Sequence, residues 1–221
     1  MNSFFKTQVT LEQFIQAGEE TFIMVAIALT LGALLGSLIG IALVLTRPDG
    51  IKPNRTLYGL LNPVVNLVRS LPFIILLVAI IPFTRFVVGT SIGTSAAIVP
   101  LTIYIAPFIG RLVESSLLEV DDGIIEAADS MGATTFEIVW RFILPEAKAS
   151  LILNFTTATI GLIGATAMAG AVGAGGIGDL ALNYGYQRFD GAAMLYTVIA
   201  LVILVQGIQS LGNLWARRVR A

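Results

Sequence analysis

The sequence predicts an all-α, polytopic integral membrane protein with five transmembrane helices, a helical cytoplasmic loop, an external N-terminus and a cytoplasmic C-terminus. Three observations support this prediction: the composition, five long apolar stretches and the distribution of lysine and arginine. Of the 221 residues, 56% are hydrophobic and 12% are charged, and the mean hydropathy is +0.88. Because a soluble domain has about 25% charged residues, the composition indicates a membrane protein.

The composition also excludes several kinds of site. The chain has no cysteine and no histidine, which excludes disulfides, thiol chemistry, a structural zinc site and a histidine base. The net charge of −1 gives no indication of a nucleic-acid partner. We therefore expect no catalytic residue and no metal site. The N-terminal stretch MNSFFKTQVTLEQF lacks the short apolar core of a cleavable signal peptide.

A polar segment, TLEQFIQAGEE, precedes the first apolar stretch. Thr10 and Gln13 have the spacing of a capping box, so we expect a short helix that runs into the first span. A bilayer core about 30 Å thick needs roughly 20 apolar residues in a helix. The stretches that meet this length are about 21–46, 58–81, 92–113, 149–172 and 192–211. The predicted organisation is a lead-in helix at 1–17, a membrane domain at 18–211 and a basic cytoplasmic tail at 212–221.

Lysine and arginine indicate the orientation, because cytoplasmic segments carry an excess of both. One side holds the linker after span one, the loop between spans three and four, and the C-terminal tail. Its nine basic residues are Arg47, Lys52, Arg55, Arg111, Arg141, Lys148, Arg217, Arg218 and Arg220. The opposite side holds Lys6, Arg85 and Arg188. This asymmetry places the N-terminus outside and the C-terminus in the cytoplasm.

The span interiors contain one ionisable residue, Arg69, and many small residues, as in TLGALLGSLIG. Small residues allow close helix packing in lipid. We expect Arg69 to extend to the cytoplasmic interface or to pair with an acid such as Glu114. A contact with a substrate carboxylate is the less favoured alternative, because Arg69 lies near the start of span two.

Prolines interrupt spans two and three, and each removes a backbone hydrogen bond and kinks a helix. They are Pro63, Pro72, Pro82, Pro100 and Pro107. Broken helices line cavities in transporters, so a packing kink and a pathway role both remain open. We detect no internal repeat, so a symmetric pathway requires a second copy of the chain.

The segment 114–148 is the longest non-membrane stretch and has clear local signals. Asp121 or Asp122 can cap a short helix, and Gly132 stands where that helix ends in the left-handed conformation. Thr134 and Glu137 then have capping-box spacing for a second helix, which we expect Pro145 to close. The second helix carries so many apolar residues that it must either dock on a partner or pack against its own spans.

A family resemblance rests on this segment. Glu126-Ala127-Ala128, three residues, Gly132, nine residues, then Phe142, one residue and Leu144-Pro145 resembles the EAA loop of bacterial ABC-importer permeases. The one departure is Phe142, where the family has isoleucine. The stretches at 69–93, 96–102, 106–114 and 167–178 are similar to the permease subunit of methionine ABC importers.

The resemblance implies function, partners and site residues. It implies a membrane domain of the ABC type-1 family in the bacterial cytoplasmic membrane, surrounded by lipid. It also implies a second copy of this chain, two cytoplasmic ATPase subunits that bind ATP and magnesium, and an extracytoplasmic binding protein for methionine. The implied ATPase-coupling residues are Glu126, Ala127, Ala128, Gly132, Ala133, Thr134, Phe136, Leu144 and Pro145.

The translocation pathway is then expected on the dimer axis. Met168 is the candidate gate near its outer end, because an unbranched thioether can close a narrow opening and move aside; ordinary packing is the alternative. Asn154, Thr156 and Thr159 are candidates for the inner part.

A glycine-rich stretch, GAVGAGGIG, fits the letters of a dinucleotide-binding loop. That fingerprint requires a preceding strand and an acidic residue about 20 positions on, and this stretch follows a membrane span instead. We expect a non-helical or bent exit from span four that packs backbone against backbone, and a chain leading back to span five. The glycines concerned are Gly170, Gly173, Gly175, Gly176 and Gly178.

Two other classes of protein remain as alternatives. A stand-alone channel or ion-coupled carrier is disfavoured by the near absence of ionisable groups in the spans. A membrane enzyme is disfavoured because the sequence has no Ser/His or paired-carboxylate constellation. The chain also lacks the phosphate loop G-x-x-x-x-G-K-[ST], so we expect a separate subunit to hydrolyse ATP.

Overall fold

The computed structural model of the protein describes residues 7–220, and within that range the regular structure is entirely helical. The α-helices are α1 Leu11–Thr46, α2 Arg55–Ser70, α3 Phe73–Ala79, α4 Ile81–Val88, α5 Thr94–Leu118, α6 Asp122–Ser130, α7 Thr135–Glu137, α8 Leu144–Glu146, α9 Lys148–Gly170, α10 Gly176–Leu180 and α11 Gly191–Arg220. Two π-helical turns, Ile138–Ile143 and Ala181–Gln187, follow α7 and α10. The predicted fold class is confirmed.

The chain divides into two compact units. One unit holds the chain up to Leu31 together with Leu71–Tyr104 and Thr159–Gln209. The other holds Gly32–Ser70, Ile105–Ala158 and the chain from Ser210 onward.

Four helices, α1, α5, α9 and α11, are long and apolar enough to cross a membrane, and α2 with α3 gives a fifth span if that bent pair is counted as one. The predicted lead-in helix runs into the first span without a break, because α1 begins at Leu11. Its capping box is present: the Thr10 amide donates to Gln13 Oε1 at 3.0 Å, and the Gln13 amide donates to Thr10 Oγ1 at 3.2 Å.

Small residues place α1 against α5, as glycine-rich spans permit. A β-carbon on Gly36 would lie 2.6 Å from the Ala106 carbonyl oxygen, and one on Gly40 would lie 2.6 Å from the Gly110 carbonyl oxygen. Within this unit the two backbones therefore touch, and larger residues at these positions would separate the helices.

The interruption that the sequence predicted for span two at Pro72 is present. The chain leaves α2 at Ser70, and Pro72 has an extended ψ of 135° before α3 begins. Pro82 then lies in the first turn of α4. An N–H group at that position has no acceptor within the helix, so proline, which has no N–H, is tolerated there. Pro63 lies within α2, and Pro100 and Pro107 lie within α5, so these three prolines do not interrupt their helices.

The statement that Arg69 is the one ionisable residue within the spans was wrong. Arg111 and Glu114 both lie on α5, and Arg111 Nη1 donates to Glu114 Oε2 at 2.5 Å. Glu114 is 5% exposed. Pairing of Arg69 with an acid such as Glu114 was one of two expectations for Arg69, but Arg111 is the partner of Glu114 because it lies one helical turn away on the same helix.

Candidate functional site

The first helix of the cytoplasmic segment, α6, ends in a Schellman motif. The Asp121 side chain caps its start by accepting from the Gly123 amide at 2.7 Å. At its end the Ala133 amide donates to the Ala128 carbonyl at 3.1 Å, and the Gly132 amide donates to the Asp129 carbonyl at 2.8 Å. Gly132 has φ +78°, so the left-handed conformation predicted for it is confirmed.

The capping box predicted for the second helix is present. The Thr134 amide donates to Glu137 Oε2 at 3.0 Å, and the Glu137 amide donates to Thr134 Oγ1 at 3.3 Å. The hydrogen bond from the Thr134 backbone holds the pKa of the Glu137 carboxyl below its ordinary value, with the Thr134 hydroxyl contributing next. The turn between the two helices is therefore fixed on both sides.

Pro145 does not close the second helix, contrary to the prediction. The chain passes from the π-helical turn into α8, and Pro145 lies in the first turn of that helix. Proline is tolerated there because its missing N–H is not needed. Ala147 keeps helical dihedrals of −75° and −5° and α9 follows at once, so the predicted coupling segment continues into a candidate membrane span.

The second helix of the coupling segment has two faces. Ile138 and Ile143 are 1% exposed and anchor the segment. On the other face Phe136 is 73% exposed and Trp140 is 63% exposed, and their rings stack at 6.1 Å between centroids with planes 5° apart. The buried face confirms the alternative of packing within the chain, and docking on a partner stays a prediction for the exposed face. Exposed apolar surface of this kind is typical of an interface.

The structure places the predicted coupling residues unevenly. Six of them are exposed: Glu126, Ala127, Gly132, Thr134, Phe136 and Pro145. Two, Ala133 and Leu144, are half-buried, and Ala128 is fully buried. Ala128 can therefore support the segment only by packing. Met131, at 71% exposure beside Gly132, was missed by the sequence analysis. We call Met131, Gly132, Phe136 and Trp140 the cytoplasmic tip.

The glycine-rich segment after α9 packs backbone against backbone. A β-carbon on Gly178 would lie 2.3 Å from Ala167 Cα, and one on Gly170 would lie 2.4 Å from the Asp179 amide nitrogen. Gly173 and Gly175 have φ of +83° and +81°. The expected non-helical exit from span four is confirmed, because residues 171–175 are not helical, and α10 with a π-helical turn then fills residues 176–187.

Two residues of α1 hold this segment, and sequence reasoning did not identify them. Glu20 Oε2 accepts from the Gly176 amide at 2.7 Å, and Thr21 Oγ1 accepts from the Ile177 amide at 2.9 Å. These are the free amides at the start of α10, which side-chain oxygens satisfy at helix N-termini. The glycine-rich segment is therefore an internal joint between elements of one unit.

The predicted pathway residues lie in different surroundings. Met168 is 51% exposed, near the end of α9. Asn154 Nδ2 donates to Ser116 Oγ at 2.7 Å, and Thr156, 8% exposed, donates to the Ile152 carbonyl at 2.7 Å. Thr159 is half-buried. The side chain of Met168 is exposed, whereas Asn154 and Thr156 make helix contacts.

Residues 32–221 match the family model described as "Binding-protein-dependent transport system inner membrane component". The chain belongs to this family. As a member of a transport family of the inner membrane, it is a multi-pass membrane permease, in agreement with its apolar helices.

Relatives of this permease carry more specific names. It is 50% identical over 200 residues to the probable D-methionine transport system permease protein MetI of Vibrio cholerae, covering 90% of this chain and 89% of that one. It is 44% identical over 172 residues to the methionine import system permease protein MetP of Bacillus subtilis, covering 78% of each.

A solved structure is also similar over nearly the whole permease. A chain of the MetNI methionine ABC transporter, in an inward-facing conformation, superposes with a TM-score of 0.94 and 45% identity, covering 97% of this chain and 99% of that one. A chain of an amino acid ABC transporter with histidines gives a TM-score of 0.75 at 20% identity, which indicates the shared fold alone.

Proposed function

We propose that this permease is the membrane-spanning subunit of an ATP-driven ABC importer that carries methionine across the bacterial cytoplasmic membrane. The observation that carries the substrate is the 50% identity, over 90% of this chain, to a relative named for D-methionine transport. The structural similarity to a chain of a methionine ABC transporter supports the same substrate.

The assembly that this function requires has four kinds of component. It consists of two copies of this chain, two cytoplasmic ATPase subunits, an extracytoplasmic binding protein and the surrounding lipid. ATP and magnesium bind to the ATPase subunits, and this chain supplies no catalytic group. The family description supports the binding protein, and the exposed cytoplasmic tip supports a docking partner on that side.

The coupling step follows from the geometry of the cytoplasmic segment. Phe136 and Trp140 present a rigid stacked pair to the ATPase, while Ile138 and Ile143 anchor the base of the same segment. From Thr135 to Gly170 the chain is helical apart from the step at Ala147. A displacement of the docked tip therefore passes into α9. Exposed Glu126 is available for an ion pair with the partner.

The outer end of α9 is where this displacement opens the path. Met168 is exposed two residues before α9 ends at Gly170, and the glycine-rich joint follows directly. Since α10 is held to α1 by Glu20 and Thr21, movement of α9 against this joint shifts Met168 relative to a fixed neighbour. This arrangement supports the proposal that Met168 is the gate.

Uptake by the reconstituted transporter tests the substrate. Proteoliposomes containing this chain and its ATPase, supplied with the binding protein and ATP, are expected to accumulate radiolabelled L-methionine. Titration of the binding protein with L-methionine, D-methionine and leucine then measures selection. Accumulation of leucine in preference to methionine would contradict the substrate.

The variant Gly132→Asp tests the coupling surface. No atom lies within 4 Å of a β-carbon at Gly132, and although its φ of +78° strains any side chain, aspartate is among the residues that best tolerate this conformation. The variant should therefore insert and fold while placing a charge on the cytoplasmic tip. We expect ATP-dependent uptake to be lost at normal expression in the membrane. Normal uptake would overturn the assignment of the coupling surface.

A further inference from the structure

Helix α2 carries a polar face that the function described so far does not use. Asn62, Asn66 and Arg69 follow at spacings of four and three residues, so they lie on one side of the helix. Asn66 and Arg69 are exposed and Asn62 is half-buried. The opposite side is apolar, as Val64 at 51% exposure shows. We call Asn62, Asn66 and Arg69 the polar face of α2.

The guanidinium of Arg69 lies beside the membrane-spanning part of α5. Its Cζ is 6.0 Å from the centroid of the Phe108 ring. Phe108 lies five residues before Val113, where the predicted span three ends, and five residues of helix are about 7.5 Å long. The guanidinium of Arg69 is therefore inside the predicted span, between one and two helical turns from its cytoplasmic end.

The charge of Arg69 is not neutralised by the described residues. Between residues 7 and 220, no carboxylate oxygen lies within 4.0 Å of this guanidinium. The neighbouring cation, Arg111, is neutralised by Glu114. An uncompensated charge within a span is costly in lipid, and such side chains face a protein interior or a water-filled cavity.

Arg111 also orients the two asparagines. Its Nη2 donates to Asn62 Oδ1 at 2.6 Å and to Asn66 Oδ1 at 2.7 Å. Asn66 Nδ2 also donates to Asn62 Oδ1 at 3.4 Å. Because an amide nitrogen has two N–H groups, Asn66 keeps one N–H as a donor near Arg69. The polar face therefore offers a cation and N–H donors, which is the chemistry that binds a carboxylate.

We propose that the polar face of α2 lines a water-filled passage and that Arg69, aided by Asn66, binds the carboxylate of the amino acid during its transit. This inference rests on the proposed function, because it takes an amino acid as the permeant. Arg69 is then a binding residue of the pathway rather than a structural residue at the membrane interface.

Single cysteine substitutions test whether the polar face of α2 is accessible to water. Because this chain has no native cysteine, no other thiol in it would be labelled. In the reconstituted full transporter, a membrane-impermeant cationic methanethiosulfonate should label Asn66→Cys at least about tenfold faster than Val64→Cys, since a thiol in lipid does not ionise. Millimolar L-methionine should slow the labelling of Asn66→Cys, and L-methioninamide should not. Equal rates for the two variants, or equal protection by the amide, would overturn the inference.

Transport kinetics test the carboxylate contact. The variant Arg69→Gln should lower methionine uptake by about tenfold or more, as expected for loss of a charged hydrogen bond, while ATP hydrolysis stimulated by the binding protein persists. Arg69→Lys should restore part of the uptake. Arg85→Gln, which removes an exposed arginine of α4, is the matched control and should transport normally.

The outcomes separate the two proposals. If the unmodified transporter accumulates no methionine, the proposed function fails. If it accumulates methionine and Arg69→Gln does so equally well, this inference alone fails. If Arg69→Gln loses uptake together with stimulated ATP hydrolysis, and Arg69→Lys restores neither, Arg69 is structural and the inference also fails.

Discussion

The cytoplasmic segment and the glycine-rich segment have the same order of structural elements, but their glycines have different structural roles. Each has a turn with a left-handed glycine, a short helix and a π-helical turn. A β-carbon at Gly132 would meet nothing within 4 Å, whereas one at Gly178 would meet backbone at 2.3 Å. The first glycine permits a turn at a surface, and the second permits an internal contact.

The burial of apolar side chains differs in the same way. The cytoplasmic tip exposes Phe136 and Trp140, while Ile177 and Leu180 of α10 are each 7% exposed. One segment is therefore incomplete without a partner, and the other is complete within the chain. Substitutions should accordingly impair transport without loss of stability in the first segment, and impair stability itself in the second.

The largest effect is expected from Gly178→Ala. The added methyl group cannot be accommodated without moving α9 away from α10, so we expect a loss of about 3 kcal/mol or more in the free energy of unfolding. Thermal unfolding of the purified chain in detergent measures this loss. The control Gly207→Ala, where a β-carbon meets no atom within 4 Å, should unfold at the normal temperature or slightly above it. Equal midpoints for both variants would contradict the internal-joint interpretation.

A double substitution of Phe136→Ala and Trp140→Ala should have the next largest effect, and on transport alone. Truncation of an interface anchor costs about 2 kcal/mol or more in binding, or about 30-fold in affinity for the ATPase. Both side chains are mostly exposed, so unfolding should be unchanged. Copurification with the ATPase measures docking. Phe22→Ala, an equally exposed aromatic on α1, is the control that should still copurify.

Loss of the capping box should have a smaller effect. Thr134→Ala removes the oxygen that accepts from the Glu137 amide, at a cost of about 1 kcal/mol in helix stability. Hydrogen exchange at residues 135–140 is expected to quicken by about fivefold, while exchange in α10 stays unchanged. Quicker exchange in both segments would show that the two turns are not independent.

The smallest effect is expected from pH. The pKa of Glu137 is lowered in the folded chain, so its stabilising contribution is present above the unfolded pKa of about 4.3 and is lost as pH falls through the lower folded value. Exchange at residues 135–140, corrected for its intrinsic pH dependence, should therefore be constant from pH 5 to 8 and quicken below about pH 4. Quickening already at pH 6 would contradict this cap.

The sequence predicted best those features that depend on local chemistry. The capping pairs at Thr10 and Thr134 and the left-handed Gly132 each depend on a few adjacent residues, and all three are present in the structure. Long apolar stretches likewise predicted α1, α5, α9 and α11. Such signals act within one helix or one turn, so a single sequence can contain them.

Contacts between distant parts of the chain could not be predicted in the same way. Glu20 reaches the Gly176 amide across 156 positions, and no local pattern marks that pairing. The break after Ser70 was predicted from Pro72, but the sequence did not indicate that Pro63, Pro100 and Pro107 would lie within uninterrupted helices.

Uptake with and without the ATPase tests the central claim most directly. Proteoliposomes are prepared with this chain, its ATPase and the binding protein, and ATP is supplied on the side of the membrane that the ATPase faces. These proteoliposomes should accumulate methionine. Proteoliposomes with the chain alone, at the same density and with a methionine gradient, should not. Methionine uptake by the chain alone would show a self-sufficient channel or carrier and would contradict the account of an ATP-driven permease subunit.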